Sequence, residues 1–367
     1  MNKFNHISLI LLIVLSAFMA QCQPKIDYNT LFRSSITSPQ SDYYYGKMYR
    51  NAESGNAMRF LEMGYFVNAI NEYYYRTSDK QYFVHNAELI EKLKSSSERL
   101  DVGNKWIVNF SRKSDTNYEM LNKEFILYEG YLFRYLAQYI YITDQIGQLN
   151  SENFLFVKEN FDKWANRNEA KYGDMGEMYG LRLHMGSHWA TVALYLYMIS
   201  KESKYKDFYD SFNSELKRAL KVNTVKGNAC YIWDSTYPIR FNALLKQKNR
   251  KYSVVKQDVS HGNHIVQFIL DSYRCKQGGW TREDIDRLCN TLKFIIWVNP
   301  KVPTDNVDGS VNNAKLLHKT GWKQTDGWMK LIQYDGSLKT IYDNYYRHNK
   351  SQINKFNPFP QFYVNMF

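Results

Sequence analysis

Proline is scarce, with seven residues in 367. Proline removes a backbone donor and clashes with the preceding helical turn, so its scarcity leaves room for long unbroken helices. Cysteine is scarcer still. Cys22, Cys230, Cys275 and Cys289 fall at no metal or redox spacing, and no Cys-x-x-Cys occurs. In an oxidising compartment Cys275 and Cys289 suit a bridge between neighbouring helices; buried free thiols are the plainer reading. Blocks of consecutive Lys or Arg are missing although the net charge is +12, which argues against a nucleic-acid tail or a polybasic membrane tether. Alternating strands are few, with short stretches such as ACYIW the main candidates. His-Glu-x-x-His, Gly-x-Ser-x-Gly, phosphate loops and dinucleotide fingerprints are all absent. The usual signatures of zinc peptidases, serine esterases and nucleotide enzymes are therefore missing, and no cofactor is expected.

The chain opens MNKFNHISLILLIVLSAFMA, whose apolar run from Ile7 to Ala20 is too short to span a bilayer and reads as a secretory signal over residues 1–20. No later segment is long and apolar enough to cross a membrane. Residues 21–367 then form a single catalytic-type domain, exported to the periplasm, the outer membrane or the medium of a bacterium. Lipid attachment at Cys22 is the alternative to simple cleavage; the preceding Met19-Ala20-Gln21 lacks the usual small residue. Positive charge dispersed among 31 Tyr and 8 Trp points to an acidic polysaccharide rather than to nucleic acid, since aromatic faces stack on sugar rings.

Helical periodicity dominates residues 56–76, 85–98, 118–143, 151–166, 187–200, 203–221, 264–274, 281–297 and 327–347. A repeat lies beneath it. EYYYRTSDKQYFVHNAELIEKLK (72–94) and LYMISKESKYKDFYDSFNSELKRAL (196–220) both end a helix in aromatics, turn through polar residues and start a second amphipathic helix. In DSYRCKQGGWTREDIDRLCNTLKFIIW (271–297), Thr281 is placed to cap the second helix with Asp284 at its third position. First helices such as WATVALYLYMI are apolar on most faces, whereas second helices such as FYDSFNSELKRAL are charged on one. Inner helices enclosed by neighbours and outer helices facing water make an all-α (α/α) toroid of about six or seven hairpins. The final stretch NKFNPFPQFYVNMF carries no repeat and reads as a packed tail.

Three clusters sit where inner helices begin or end. RLHMGSHW places His184 and His188 four apart. YIWDSTYPIR brings Tyr237 and Arg240 into an aromatic loop. DVSHGNH sets His261, Asn263 and His264 at the mouth of a helix that Asp258 or Ser260 can cap. Imidazole, phenol, amide and guanidinium are what β-elimination on a uronic acid needs: one group to take the C5 proton, one to protonate the leaving oxygen, and donors to neutralise the carboxylate. On that reading His261, Tyr237, Asn263 and His188 are catalytic, with His261 and Tyr237 as acid/base groups. His264, Arg240, His184, Trp189 and Trp233 contact substrate, although both tryptophans also read as core. His184-x-x-x-His188 with His261-x-x-His264 is also a zinc pattern, but Glu177 is the only carboxylate nearby before the pair, and no metal is expected. Paired carboxylates for a toroid glycoside hydrolase are the rival, with Glu129, Asp234 and Asp258 as candidates. A non-catalytic surface glycan-binding protein is the third reading.

The order YEGYLFRYLAQYIYI, HMGSHWATVALYLYMISKESKYKDFYDSFNSELKRAL, YIWDSTY, QDVSHGNHIVQFILDSYRCKQGGWTREDIDRLCNTLKFIIW and DGWMKLIQYD over residues 120–335 resembles the helical-toroid polysaccharide lyases that act on alginate or glucuronan-like chains. That resemblance implies an exported carbon–oxygen lyase cleaving a uronic-acid polysaccharide. Those lyases carry an Asn-His pair on an inner helix; here the place is Ser187-His188-Trp189, so the carboxylate partner implied is Asn263 or Arg240.

Overall fold

The computed structural model describes residues 25–109, 118–172, 176–180, 182–237, 254–299, 302–311 and 323–367. The signal segment, Cys22 and Arg240 lie outside the described residues.

The protein is an (α/α) toroid. Its helices are α1 (Tyr28–Thr37), α2 (Tyr45–Glu53), α3 (Phe60–Thr77), α4 (Phe83–Ser95), α5 (Ile126–Gln145), α6 (Ser151–Tyr172), α7 (Leu183–Ser200), α8 (Ser203–Ala219), α9 (Val259–Arg274), α10 (Arg282–Thr291), α11 (Leu338–Phe356) and α12 (Phe359–Val364), with a 3-10 segment at Trp328–Gln333. Two antiparallel ribbons interrupt them, β1 (Glu98–Arg99) with β2 (Asn104–Lys105), and β3 (Lys221–Val225) with β4 (Asn228–Ile232). The second contains the ACYIW stretch.

The inner wall runs α3, α5, α7, α9 and the 3-10 segment, each packed on the next, and α12 returns to pack on α3. Side chains lock that closure. Lys330 Nζ of the 3-10 segment donates to Asn68 Oδ1 of α3 at 2.7 Å and reaches Glu72 Oε2 at 3.1 Å. Burial separates inner from outer helices as the apolar patterning requires. In α7 the run Gly186–Leu196 is buried without interruption, while α8 buries a face including Tyr205, Phe208, Tyr209, Phe212 and Leu216. Among the described residues five pairs pack together: α3/α4, α5/α6, α7/α8, the 3-10 segment with α11, and α12 with α1; α10 follows α9 in the chain but packs on β4 and the 3-10 segment. The pair of α12 with α1 joins the two ends of the described chain, and its inner member comes from the stretch expected to be only a packed tail. Pro358 precedes α12 and Pro360 sits in its first turn, where a missing backbone donor costs nothing.

Local signals account for the helix starts that matter. Thr281 and Asp284 form a reciprocal capping box at α10. Asp258 caps α9, accepting from His261 N at 2.9 Å. Gly327 lies so close to α9 that a Cβ there would stand 2.3 Å from Asn263 O and 2.6 Å from Gln267 N. Only glycine allows that approach, which brings Asp326 against α9.

Candidate active site: two aspartate–histidine pairs in one cleft

The first turns of α7 and α9 meet at one end of the ring. The His184 and His261 ring centroids are 4.3 Å apart, those of His188 and His264 4.8 Å, and those of His261 and His264 6.3 Å. Positions i and i+4 on α7, and i and i+3 on α9, share a helix face, so two histidines from each helix turn the same way.

The floor of the cleft comes from α5 and from the residue before Gly327. Tyr131 Oη donates to Asp326, 3.1 Å from each carboxylate oxygen; Gln361 Nε2 donates to Oδ1 at 3.0 Å, and Asn68 Nδ2 at 3.4 Å. His264 Nδ1 stands 2.9 Å from Asp326 Oδ2, at ion-pair distance though off the straight hydrogen-bond line. Burial alone would raise the Asp326 pKa, but the adjoining His264, then Arg134 and Lys323, outweigh it and hold the carboxyl well below its ordinary range. Arg134 Nη1 donates to His188 Nδ1 at 2.9 Å, and both side chains are buried. Burial, then neighbouring positive groups, lowers the pKa of His188 and of His184. Burial also lowers His264, against the pull of Asp326.

The mouth is tuned the other way. His261 is exposed, and its Nδ1 lies 2.7 Å from Asp258 Oδ2. Although its edge is open to solvent, protein packed around the ring works to lower its pKa, but the Asp258 carboxylate more than offsets this and raises it. Lys323, near Asp326 at the floor, follows the floor instead: its ammonium lies over the Tyr65 ring at 4.3 Å, and burial, partly countered by Asp326, brings its pKa down to about 8.

Of the nine expected site residues, the structure brings four together here: His184, His188, His261 and His264. It gives others different work. Asn263 is fully buried, and its Oδ1 accepts from Gly327 N at 2.7 Å and Trp328 N at 3.0 Å, so it splices α9 to the 3-10 segment. Tyr237 is 1% exposed and donates to Tyr179 O at 2.7 Å beneath Gly186. Trp189 is in the core with Nε1 donating to Ile126 O, and Trp233 is buried against Trp328. All four are buried rather than lining the histidine cluster. Among the candidate carboxylates, Glu129 is buried on Lys163 and Trp164, and Asp234 pairs with Lys221. Asp258 alone of the three reaches the cleft. Tyr131, Arg134, Lys323 and Asp326 were not singled out. The polar stripe Tyr131, Arg134, Tyr135 and Gln138, at spacings of 3, 4 and 7 in a helix otherwise apolar, was the legible signal. No group of three or more His, Cys, Asp or Glu side chains among the described residues is arranged to hold a metal ion.

The chain is thus a helical toroid with four clustered histidines at the start of two inner helices. No protein-family model matches the sequence, and no curated protein does. Among solved structures the chain is similar to the alpha-1,6-mannanase GH76A of Salegentibacter sp. HEL1_6, and to inactive variants of it in complex with alpha-1,6-mannotriose and alpha-1,6-mannotetrose. Each shows 10% identity and a TM-score of 0.43, over 88% of this chain and 97% of that one. These are glycoside hydrolases, and on that finding the expectation of a lyase acting on alginate or another uronic-acid polymer is corrected. The phenols agree with the correction. Burial, then Asp326, pushes the Tyr131 pKa well above its ordinary value, and Tyr237 is spent on a carbonyl, so neither is poised to take a carbon-bound proton.

Proposed function

We propose that this chain is a glycoside hydrolase that cuts a polysaccharide in the cleft between His261 and Asp326. One observation carries the reading: the two aspartate–histidine pairs of a single cleft are tuned in opposite directions, His261 upward by Asp258 and His264 downward by burial beside an ionised Asp326. Hydrolysis of a glycosidic bond needs a proton donor for the leaving oxygen and an acceptor for the attacking water. Titratable neighbours whose environments push them apart supply that division.

His261, at the mouth and carrying the extra proton, donates to the glycosidic oxygen as its bond to the anomeric carbon breaks. His264, backed by Asp326, takes a proton from the water whose oxygen forms the new bond to that carbon. Tyr131 holds Asp326 in place. An acidic character of the polymer is part of the proposal and rests on the net charge of +12. Export through residues 1–20, with Cys22 as an optional lipid site, rests on the sequence alone.

The test is product analysis over a panel of acidic and neutral polysaccharides. The expected result is release of reducing ends without unsaturated sugar. Unsaturated products would overturn the hydrolytic step, and binding of a polymer that is never cut would make the chain a glycan-binding protein.

A further inference from the structure

The two buried imidazoles of the cleft have partners of opposite and unambiguous kind. A guanidinium has five N–H donors and no acceptor. The 2.9 Å contact of Arg134 Nη1 with His188 Nδ1 therefore requires a lone pair on Nδ1, which puts the ring proton of neutral His188 on Nε2. An ionised carboxylate only accepts. The 2.9 Å contact of His264 Nδ1 with Asp326 Oδ2 lies off the hydrogen-bond line, yet a bare Nδ1 there would still set two lone pairs against each other, so His264 carries its proton on Nδ1 and leaves Nε2 bare. Neither Nε2 atom is among the buried polar atoms that lack a partner. The ring centroids lie 4.8 Å apart at 62°, with the Tyr131 ring edge-on to both at 5.3 and 5.4 Å.

We infer that Arg134 and Asp326 are positioning residues that lock His188 and His264 into opposite tautomers, so that the pair presents one N–H donor and one lone-pair acceptor to a single substrate or water hydroxyl. The inference deepens the proposed hydrolytic function and rests on it only for the identity of that hydroxyl. A hydroxyl donates one proton and accepts from one donor, which is what this pair offers. A carboxylate or sulfate oxygen, with no proton to give, meets a repulsive lone pair at His264. The ionisable groups facing His188 are Arg134, His264, His184, His261 and Tyr131. Those facing His264 are Asp326, Arg134, His261, His184, His188 and Tyr131. Asp326 is the only anion among them in its ionised state, and burial with the surrounding positive groups keeps both rings neutral at ordinary pH. Arg134 spends only Nη1 on this task; its Nε and Nη2 have no protein partner among the described residues and suit ordered water.

The experiment is long-range proton–nitrogen NMR of the full chain labelled at histidine, each ring assigned by a single His→Gln replacement. In the wild-type chain without ligand, His188 is expected to show its proton on Nε2 and His264 on Nδ1. In Arg134→Met, His188 should become a mixture of both tautomers while His264 keeps Nδ1–H, and turnover should fall about ten-fold. Arg134→Lys, which still only donates, should restore the single Nε2–H form. The same tautomer on both rings of the wild type, or an unchanged His188 in Arg134→Met, would overturn the inference. The wild-type measurement needs no variant to fold. It also needs no substrate, so opposite tautomers in a chain that hydrolyses nothing would uphold the inference while the hydrolase reading fell.

Discussion

At the scale of single residues, chemistry here is set by which partner stands behind each imidazole. Replacing His261 by Ala removes the proton donor at the mouth, and turnover should fall by about 100-fold or more with the helical circular-dichroism signal unchanged. Asp258→Asn is the finer probe. Asn still caps α9, but the carboxylate that raises the His261 pKa is gone. Because the donor must be protonated, the alkaline limb of the pH–rate profile should move to lower pH; an unmoved limb would take His261 out of the acid role. Asp326 has the opposite linkage. Its folded-state pKa is depressed, so it stabilises the native state above the unfolded pKa of about 4, and that contribution is lost as pH falls through the folded value. Urea midpoints of Asp326→Asn should therefore depend less on pH below about 4 than those of the wild type. His261, Asp258 and His264 could be picked from the sequence because three polar residues open an apolar helix. Asp326 could not: in TDGWMK it looks like any turn aspartate before a glycine, and only the approach of Gly327 to α9 brings it to His264.

Elements carry the next level of specification. Helix α10 is stabilised by the Thr281–Asp284 capping box on the outside of the ring. Thr281→Ala should cost about 1 kcal/mol in chemical denaturation and leave turnover untouched. Asn263→Ala should behave differently. It strips the acceptor from two buried backbone N–H groups at Gly327 and Trp328, so a loss of about 2–4 kcal/mol is expected. Activity should fall with it, because the same splice positions Asp326. Helix positions were legible wherever apolar spacing ran for three turns or more. Apolar spacing makes 281–297 one helix, yet regular α-helix stops at Thr291 and a wider-coiled turn, Leu292–Ile296, follows. Residues 327–347 likewise divide into a 3-10 segment and α11. Hydrophobic spacing does not distinguish neighbouring helical forms, because the hydrogen-bond offset that separates them leaves the buried face nearly unchanged. Helix α12, at six residues, is too short to leave a periodic trace.

For the whole molecule, the decisive feature is ring closure through the buried Glu72 carboxylate. Glu72 is 1% exposed and meets three cations: Lys330 at 3.1 Å, Arg76 at 3.3 Å and Arg274 at 3.4 Å, with Gln333 also donating to it. Burial pushes the Glu72 pKa up, but the three positive groups outweigh this and keep it ionised. The cluster ties α3 to α9 and to the 3-10 segment, elements far apart in the chain. Glu72→Ala would leave three buried cations without their shared carboxylate, a loss of about 3–5 kcal/mol. Thermal melts should show it as a cooperative drop for the entire ring rather than local fraying.

Sequence patterning alone determined that the chain is helical, that its helices come in pairs with one enclosed and one wetted member, and that histidines stand at the mouths of two inner helices. Those are properties of spacing along the chain, which water reads locally as apolar and polar faces. Tertiary structure alone decided which residues share the cleft, which candidates are only supports, and that the C-terminal stretch supplies an inner-wall helix. Each of these depends on contacts between residues distant in sequence, such as Asp326 with His264 and Lys330 with Glu72. No local periodicity encodes such a contact, because its energy appears only once the ring has closed and water has left.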